Sequence, residues 1–128
     1  MATARLGRFS DATVTPWLTG ILNSTHYLGL FVQDPFSVGN PTTVEITGGV
    51  YARVVPTFTL SSRTLMATNQ LLWQGISAGI TVSHIGSFDA AFNGNLEWAG
   101  PIPNGPLPFP TGGYLLVAAN HYFVGLDA

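Results

Sequence analysis

Three polar side chains of this sequence occur in the order found in serine hydrolases of the α/β type. Ser77 lies in Gly75-Ile-Ser-Ala-Gly79, which fits the G-x-S-x-G pattern, and Asp89 and His121 follow it along the chain. In those enzymes the serine occupies a sharp turn between a strand and a helix. Here a strand pattern, Ile-Thr-Val-Ser-His-Ile, follows the motif, and 128 residues leave no room for the rest of such a scaffold. We therefore predict a turn between strands at this motif, and no catalytic residue.

Two further sets of side chains suggest metal binding or acid–base chemistry. His26, His84 and His121 lack the close local pairing of a zinc motif, and the chain has no cysteine to supply thiolate ligands. Asp89 and Glu97 can approach each other across a hairpin, as the two carboxylates of a glycoside hydrolase do. Asp89 beside a turn is better explained by bonds from its side chain to the backbone. The sequence predicts no metal and no cofactor.

Asp89 and Glu97 belong to the stretch around which the rest of the chain is organised, residues 78–100. An apolar, β-branched run leads to Asp89, and Asn93-Gly94 separates it from a second apolar run that contains Glu97. An Asn-Gly pair between two such runs is a strong hairpin signal, because both residues tolerate the positive φ that tight turns need. The sequence therefore predicts a β-hairpin with Asn93 and Gly94 at its tip.

The remaining elements are predicted to be short strands and one helix. Ser10 or Asp11 begins a short amphipathic helix that ends near Asn23, with Trp17, Leu18, Ile21 and Leu22 along one face. Strands are predicted at residues 26–33, 50–58, 70–74, 114–119 and 122–126, with a polar strand or loop at 59–64. Seven or eight short strands with one short N-terminal helix predict an all-β fold, an antiparallel β-sandwich. We expect residues 1–9 to form an arm and residues 10–128 to form a single domain.

Composition limits the partners that such a domain can have. Charged residues make up 8% of the chain and lysine is absent, whereas ordinary domains have about 25% charged residues. The scattered arginines form no basic patch, which argues against nucleic acid, and no apolar run approaches the ~20 residues of a membrane-spanning helix. A chain with so few charges exposes apolar surface that promotes association. We expect homo-oligomers or contacts with other proteins; a compact monomer with a neutral, Ser/Thr/Asn-rich surface is the alternative.

Several short motifs, taken in order, resemble those of one family. They are Tyr27-Leu-Gly-Leu-Phe-Val-Gln-Asp-Pro35, Glu45-Ile-Thr-Gly-Gly-Val-Tyr-Ala-Arg-Val54, Ser83-His-Ile-Gly-Ser-Phe-Asp-Ala90, Asn95-Leu-Glu-Trp-Ala-Gly100 and a terminal Gly125-Leu-Asp127. Over about residues 10 to 127 the chain resembles small β-sandwich virion proteins of tailed bacteriophages, which are labelled tail fibre, minor tail or head decoration proteins. The proline-rich loop 101–110 and the arm with Arg5 and Arg8 depart from that pattern.

This resemblance implies a non-enzymatic structural protein of a tailed-phage virion, on the head surface or the tail. Our first hypothesis is a capsid decoration (minor capsid) protein that binds the head lattice through its N-terminal arm and loops. The alternative is a minor tail or tail-fibre protein with a host-glycan or receptor-binding surface, built from aromatics such as Tyr27, Tyr51, Trp73 and Trp98. The implied partners are other virion proteins, from the capsid or the tail, and copies of the chain itself.

Two groups of residues are predicted to carry these roles. Those predicted to contact partners are Arg5, Arg8, Trp17, Pro106 and Phe109. Those predicted to hold the sandwich together are Tyr51, Arg53, Asp89, Asn93 and Gly94, with Arg53 paired to an acid such as Asp89.

Overall fold

A computed structural model describes residues 10–48, 50–61, 63–103, 105–110 and 112–125. It contains one α-helix, α1 (Asp11–Leu22), and two short 3-10 helices, Pro35–Ser37 and Pro41–Thr43. The strands are β1 (Tyr27–Phe31), β2 (Phe58–Ser61), β3 (Thr64–Ala67), β4 (Leu71–Ile76), β5 (Thr81–Val82), β6 (His84–Phe88), β7 (Leu96–Pro101), β8 (Leu107–Pro108), β9 (Gly113–Val117) and β10 (Phe123–Gly125). The predicted arm, residues 1–9, lies outside the described residues.

All the strand pairs are antiparallel and form sandwich-like sheets. Two sheets have three strands, in the orders β1-β6-β7 and β10-β3-β2, and two have two strands, β4-β9 and β5-β8. The predicted all-β, antiparallel fold with one N-terminal helix is confirmed. The described residues have ten strands rather than seven or eight, and two of them, β5 and β8, are only two residues long.

Helix α1 begins and ends where the sequence predicts. The Ser10 side chain caps its N-terminus by accepting a hydrogen bond from the Thr13 backbone N–H, and Asn23 is the C-terminal cap. Val14 and Leu18, four residues apart on one face, are buried against Leu65 of β3. The face that packs on the sheet is therefore centred on Val14 and Leu18.

The hairpin is formed by β6 and β7. Asn93 and Gly94 both have positive φ, 53° and 78°, as the sequence predicts for the turn. Inside the loop the Asp89 carboxylate accepts hydrogen bonds from the Asn95 backbone N–H at 2.7 Å and from the Asn95 side-chain amide at 3.0 Å. These bonds hold the pKa of Asp89 below its ordinary value, because they favour the ionised form.

One predicted strand is wrong. Residues 50–58 were expected to be a strand, but the segment makes only an isolated bridge, between Val54 and Leu28, before β2 starts at Phe58. Pro56 has no N–H to give to a ladder. The segment instead runs beside the free edge of β1, which it meets through the Val54 N–H bond to the Leu28 carbonyl oxygen, at 2.9 Å.

The main core lies between these sheets and is centred on Trp73 of β4, whose side chain is fully buried. Its indole N–H donates to the Leu28 carbonyl of β1 at 3.0 Å. Because β4 and β1 belong to different sheets, this bond ties the two layers together. Leu28, Leu30 and Ile76 are buried in the same hydrophobic cluster as Trp73.

Candidate functional site

The hydrolase order does not form a catalytic arrangement in the structure. The Asp89 carboxylate is bonded to Asn95, and the Nδ1 atom of His121 lies 2.9 Å from the Ala119 carbonyl. Ser77 is exposed in the turn after β4, and β5 rather than a helix follows it. Among the described residues, no hydrogen bond joins Ser77, Asp89 and His121, and no group of three His, Asp or Glu side chains is placed to hold a metal.

A buried ion pair with a network of hydrogen bonds is found instead around Glu45. Arg53 donates to this carboxylate from Nε at 2.9 Å and from an NH2 group at 2.7 Å, in a two-point contact. Both side chains are almost completely buried, with 5% of Arg53 and 8% of Glu45 exposed. The Tyr51 hydroxyl donates to Glu45 at 2.7 Å and accepts the Leu30 backbone N–H at 3.0 Å. Burial, followed by the Glu45 charge, raises the pKa of Tyr51 far above its ordinary value.

Arg53 pairs with an acid, as predicted, but that acid is Glu45, and the example of Asp89 is wrong. The remaining nitrogen of Arg53 reaches the same hairpin in another way, by donating to the Ala90 carbonyl at 2.9 Å and the Asn93 carbonyl at 2.7 Å. The guanidinium also lies over the Phe88 ring, 3.6 Å from its centre. We call Glu45, Tyr51 and Arg53 the arginine clamp, because they fasten the hairpin tip to the edge of β1.

Two residues of this arrangement were missed from the sequence. Glu45 is separated from Arg53 by a turn with a positive-φ glycine, Gly48, which brings the two side chains together. Gly29 of β1 faces the clamp, and a Cβ atom there would lie 2.6 Å from Glu45 Oε2 and 3.0 Å from the Tyr51 hydroxyl oxygen. The Tyr-Leu-Gly-Leu-Phe and Gly-Gly-Val-Tyr-Ala-Arg motifs are therefore parts of one contact.

The polar groups of the arginine clamp are bonded to one another and to the hairpin, which indicates a structural role. The carboxylate oxygens of Glu45 accept from Arg53 and Tyr51, and Arg53 makes four hydrogen bonds within the chain. A cleft of about 360 Å³ adjoins it, with Phe92 of the hairpin tip on its rim. The Phe92 side chain is 85% exposed. The clamp thus holds rigid a loop that displays an aromatic side chain.

Every charged side chain of the described residues is engaged within the chain. Arg53 pairs with Glu45, Arg63 with Asp11, and Glu97 with His26. The two remaining acids stabilise turns: Asp34 accepts the Phe36 backbone N–H, and Asp89 accepts that of Asn95. Asp11, Asp34, Asp89 and Glu97 are nevertheless exposed, so the surface of the described region carries a few acidic charges among uncharged polar groups and apolar side chains.

A continuous part of that apolar surface lies on the sheet β4-β9. Leu72 of β4 is paired with Leu116 of β9, it lines one shallow cleft with Tyr114, and it lines another with Val50. We call Val50, Leu72, Tyr114 and Leu116 the outer face. Three of them are substantially exposed: Val50 by 73%, Tyr114 by 63% and Leu116 by 45%.

The predicted contact residues occupy different settings. Trp17 on α1 is 48% exposed and Pro106 is exposed. Phe109 is half-buried against the core, and its backbone bonds Gly79 and Ile80, so the proline-rich loop is fastened to its own domain. Arg5 and Arg8 lie outside the described residues.

The aromatics proposed for a glycan surface are not displayed together. Trp73 is fully buried, and Trp98 is half-buried with its N–H bonded to the Tyr122 hydroxyl at 2.9 Å. Tyr51 belongs to the arginine clamp, and Tyr27 is half-buried on β1. The exposed aromatic rings are others, among them Phe92 and Tyr114.

Comparison with known proteins identifies the family of this chain. Residues 21–121 match the family model described as podophage GP4 fiber I protein gp80, which covers 101 of the 128 residues. The chain belongs to this family. It is thus a tailed-phage virion protein of the tail-fibre kind, and it is located at the tail. No curated protein matches the chain.

Family membership decides between two of the hypotheses drawn from the sequence. It agrees with the tail-fibre alternative, whereas capsid decoration gains no support. The match begins at residue 21, so that most of α1 precedes it, and it includes the arginine clamp, the hairpin and the outer face. No helix among the described residues is long and apolar enough to cross a membrane.

Proposed function

We propose that this protein is a non-enzymatic structural domain of a podophage tail fibre that assembles with other virion proteins, including copies of itself. Family membership supports the fibre class. The observation that carries the assembly role is the outer face, an apolar patch on a domain whose described charges are all engaged internally.

Such a surface is well suited to permanent contacts. Burying an unpaired charge at an interface is costly, because the charge loses its hydration. The four side chains of the outer face are uncharged. Arg53, which also lines one of its two clefts, is already paired with Glu45, so burial of this face removes apolar area from water without that cost. Leu72, Tyr114 and Leu116 lie on the paired strands β4 and β9, so little conformational freedom of their backbone remains to be lost on contact.

Other parts of the chain extend this surface in the same proposal. Trp17, Pro106 and the N-terminal arm with Arg5 and Arg8 serve as further contacts to neighbouring proteins, and Phe109 supports the proline-rich loop from inside. Residues 10–128 act as a single domain, with residues 1–9 as its arm. Tyr51, Arg53, Asp89, Asn93 and Gly94 keep the hairpin in place.

A receptor-binding role is a second candidate, favoured by the hairpin tip. Phe92 is the most exposed of the large apolar side chains of the described region, and the loop that displays it is held by Arg53 and by Asp89. A rigid aromatic beside a cleft is suited to binding a sugar ring or an apolar side chain. Phage carrying Phe92→Ser should then keep normal particles and lose adsorption to host cells.

The assembly role is tested by the double variant Tyr114→Thr/Leu116→Thr, which keeps good strand formers on β9. We expect the isolated variant to fold with an unchanged melting temperature, and its incorporation into phage particles to fall at least tenfold. Thr59→Ser, an exposed substitution on β2, is the matched control and should be incorporated normally. Normal incorporation of the double variant would overturn the assignment of the outer face.

A further inference from the structure

A second polar cluster lies at the C-terminal end of α1, between the buried side chain of His26 and the Glu97 side chain, which is 27% exposed. His26 is 2% exposed and follows the helix by four residues. Its Nδ1 atom lies 2.7 Å from Glu97 Oε1 on β7, and its Nε2 atom lies 2.6 Å from the Ile21 carbonyl oxygen in the last turn of α1. The imidazole therefore bridges the helix and the hairpin.

The bonding partners determine the protons that this pair must hold. A backbone carbonyl oxygen only accepts, so Nε2 carries a hydrogen and donates it to Ile21. The contact between Nδ1 and Glu97 Oε1 also needs a hydrogen between its two atoms, whether it resides on the nitrogen or on the oxygen. The pair thus holds two hydrogens, one more than a neutral imidazole beside an ionised carboxylate.

The surroundings leave Glu97 as the charged partner of His26. Ser87 of β6 donates its hydroxyl to the same carboxylate oxygen at 2.9 Å. The rings of Trp98 and Phe58 pack against the imidazole, with their centres 4.9 and 6.2 Å from its centre, and neither carries a charge. The Tyr122 hydroxyl, bonded to Trp98, stays neutral near pH 7, since burial raises its pKa to about 12.

We propose that the docking of α1 on the sheet is linked to a proton: the His26–Glu97 pair binds one more proton in the folded protein than in the unfolded chain above pH 7. A histidine of an unfolded chain loses its proton near about pH 6.5, and a glutamate near about 4.3. Above neutrality the folded state then holds the extra proton, so stability falls as the pH rises. Loss of that proton leaves two acceptors facing each other and releases the last turn of α1.

The contact at the other end of α1 does not share this dependence. Asp11 in the first turn pairs with Arg63 at 2.8 Å, and an arginine stays charged throughout the physiological range. Between the two ends, Val14 and Leu18 make an apolar contact with Leu65. The proton therefore affects the attachment of the C-terminal end of α1 and leaves the N-terminal end unchanged.

Urea denaturation of the full chain between pH 6 and 9, below the range where tyrosines ionise, tests this proposal. We expect the unfolding equilibrium constant to rise by about tenfold per pH unit above pH 7 because of this pair, until the folded state also loses the proton. In Glu97→Gln, an amide N–H can donate to Nδ1 while Nε2 still donates to Ile21, so both bonds of the imidazole are kept without the extra proton. The Ser87 hydroxyl, which donates to the same position in the native chain, then accepts the second amide hydrogen instead. That variant should lose this slope and equal or exceed the native chain in stability at pH 8.5.

His121→Gln removes an exposed histidine and serves as the control, which should leave the slope unchanged. Nitrogen NMR of the His26 ring gives an independent result: at pH 7.5 we expect a hydrogen at Nε2 and a second one bound at or shared with Nδ1. Hydrogen exchange of α1, corrected for its intrinsic pH dependence, should accelerate at pH 8.5 in the native chain and not in Glu97→Gln. Parallel pH profiles for the native chain and Glu97→Gln would overturn the proposal.

Discussion

The arginine clamp and the His26–Glu97 pair both fasten the hairpin to another part of the molecule, but they differ in the cation they use. Arg53 is permanently charged and makes four bonds, to Glu45 and to two carbonyl groups of the hairpin tip. His26 joins β7 to α1 with two bonds, and in our proposal its contact with Glu97 needs a proton that the pair gains on folding. One hairpin is thus held by a fixed contact at its tip and by a proton-dependent contact on its strand.

The difference between the two contacts shows how a protein with few charges uses them. Each buried acid has a specific partner, because an unpaired charge in the interior is strongly unfavourable. The clamp holds the loop that contains Phe92 in place, whereas the histidine pair attaches α1 to the hairpin. The predictions that follow separate these two roles.

Breaking the clamp should have the largest effect. Arg53→Met leaves the Glu45 carboxylate buried without its cation, and we expect a loss of about 3–5 kcal/mol in the free energy of unfolding. Urea denaturation measures it, and the loss should be the same at pH 6 and pH 8.5. The double variant Arg53→Met/Glu45→Gln should recover part of the stability, and no recovery would contradict the role of the unpaired carboxylate.

Removing one hydroxyl from the clamp should have an intermediate effect. Tyr51→Phe deprives Glu45 of a donor and leaves the buried Leu30 N–H without an acceptor, which costs about 1–3 kcal/mol. The raised pKa of Tyr51 also means that stability is present below the unfolded tyrosine value, about pH 10, and is lost as the pH rises above it. The variant should weaken this alkaline loss. An unchanged melting temperature and alkaline profile would show that the hydroxyl is not in the clamp.

The smallest effect concerns the acid side of the pH profile. The pKa of Asp89 is lowered in the fold, so its contribution is present above the unfolded value, about 3.9, and is lost as the pH falls through the folded pKa. Asp89→Asn, which cannot ionise, should be slightly less stable than the native chain at pH 7, and this difference should shrink toward pH 3 as the native carboxylate takes up its proton. Its measurement is denaturation at pH 3 and pH 7; an unaltered acid limb would exclude the role of Asp89.

The parts of the fold that the sequence predicts are those set by local chemistry. Asn93 and Gly94 supply the positive φ of the hairpin, and Ser10 supplies the helix cap, each within a few residues. The segment 50–58 has the composition of a strand but forms only an isolated bridge to the edge of β1, because Tyr51 and Arg53 bind the Glu45 carboxylate. The composition of the segment contains no sign of these contacts, since they depend on the position of other elements.

The site residues show the same division. Arg53 was expected to pair with an acid near it in the hairpin, whereas its partner Glu45 is brought close by the edge of β1. The pairing of His26 with Glu97 joins residues 71 positions apart and has no local signal at all. The need for a glycine at position 29, where a Cβ atom would collide with Glu45, could not be predicted without knowing the position of the clamp.

The central claim, a structural role in the tail fibre, is tested most directly by locating the chain on purified particles. Immunogold labelling or cryo-electron microscopy, with copy number from quantitative densitometry, gives both position and stoichiometry. The account predicts a small number of copies per particle, confined to the tail. Hundreds of copies on the head, or absence from the particle, would contradict it.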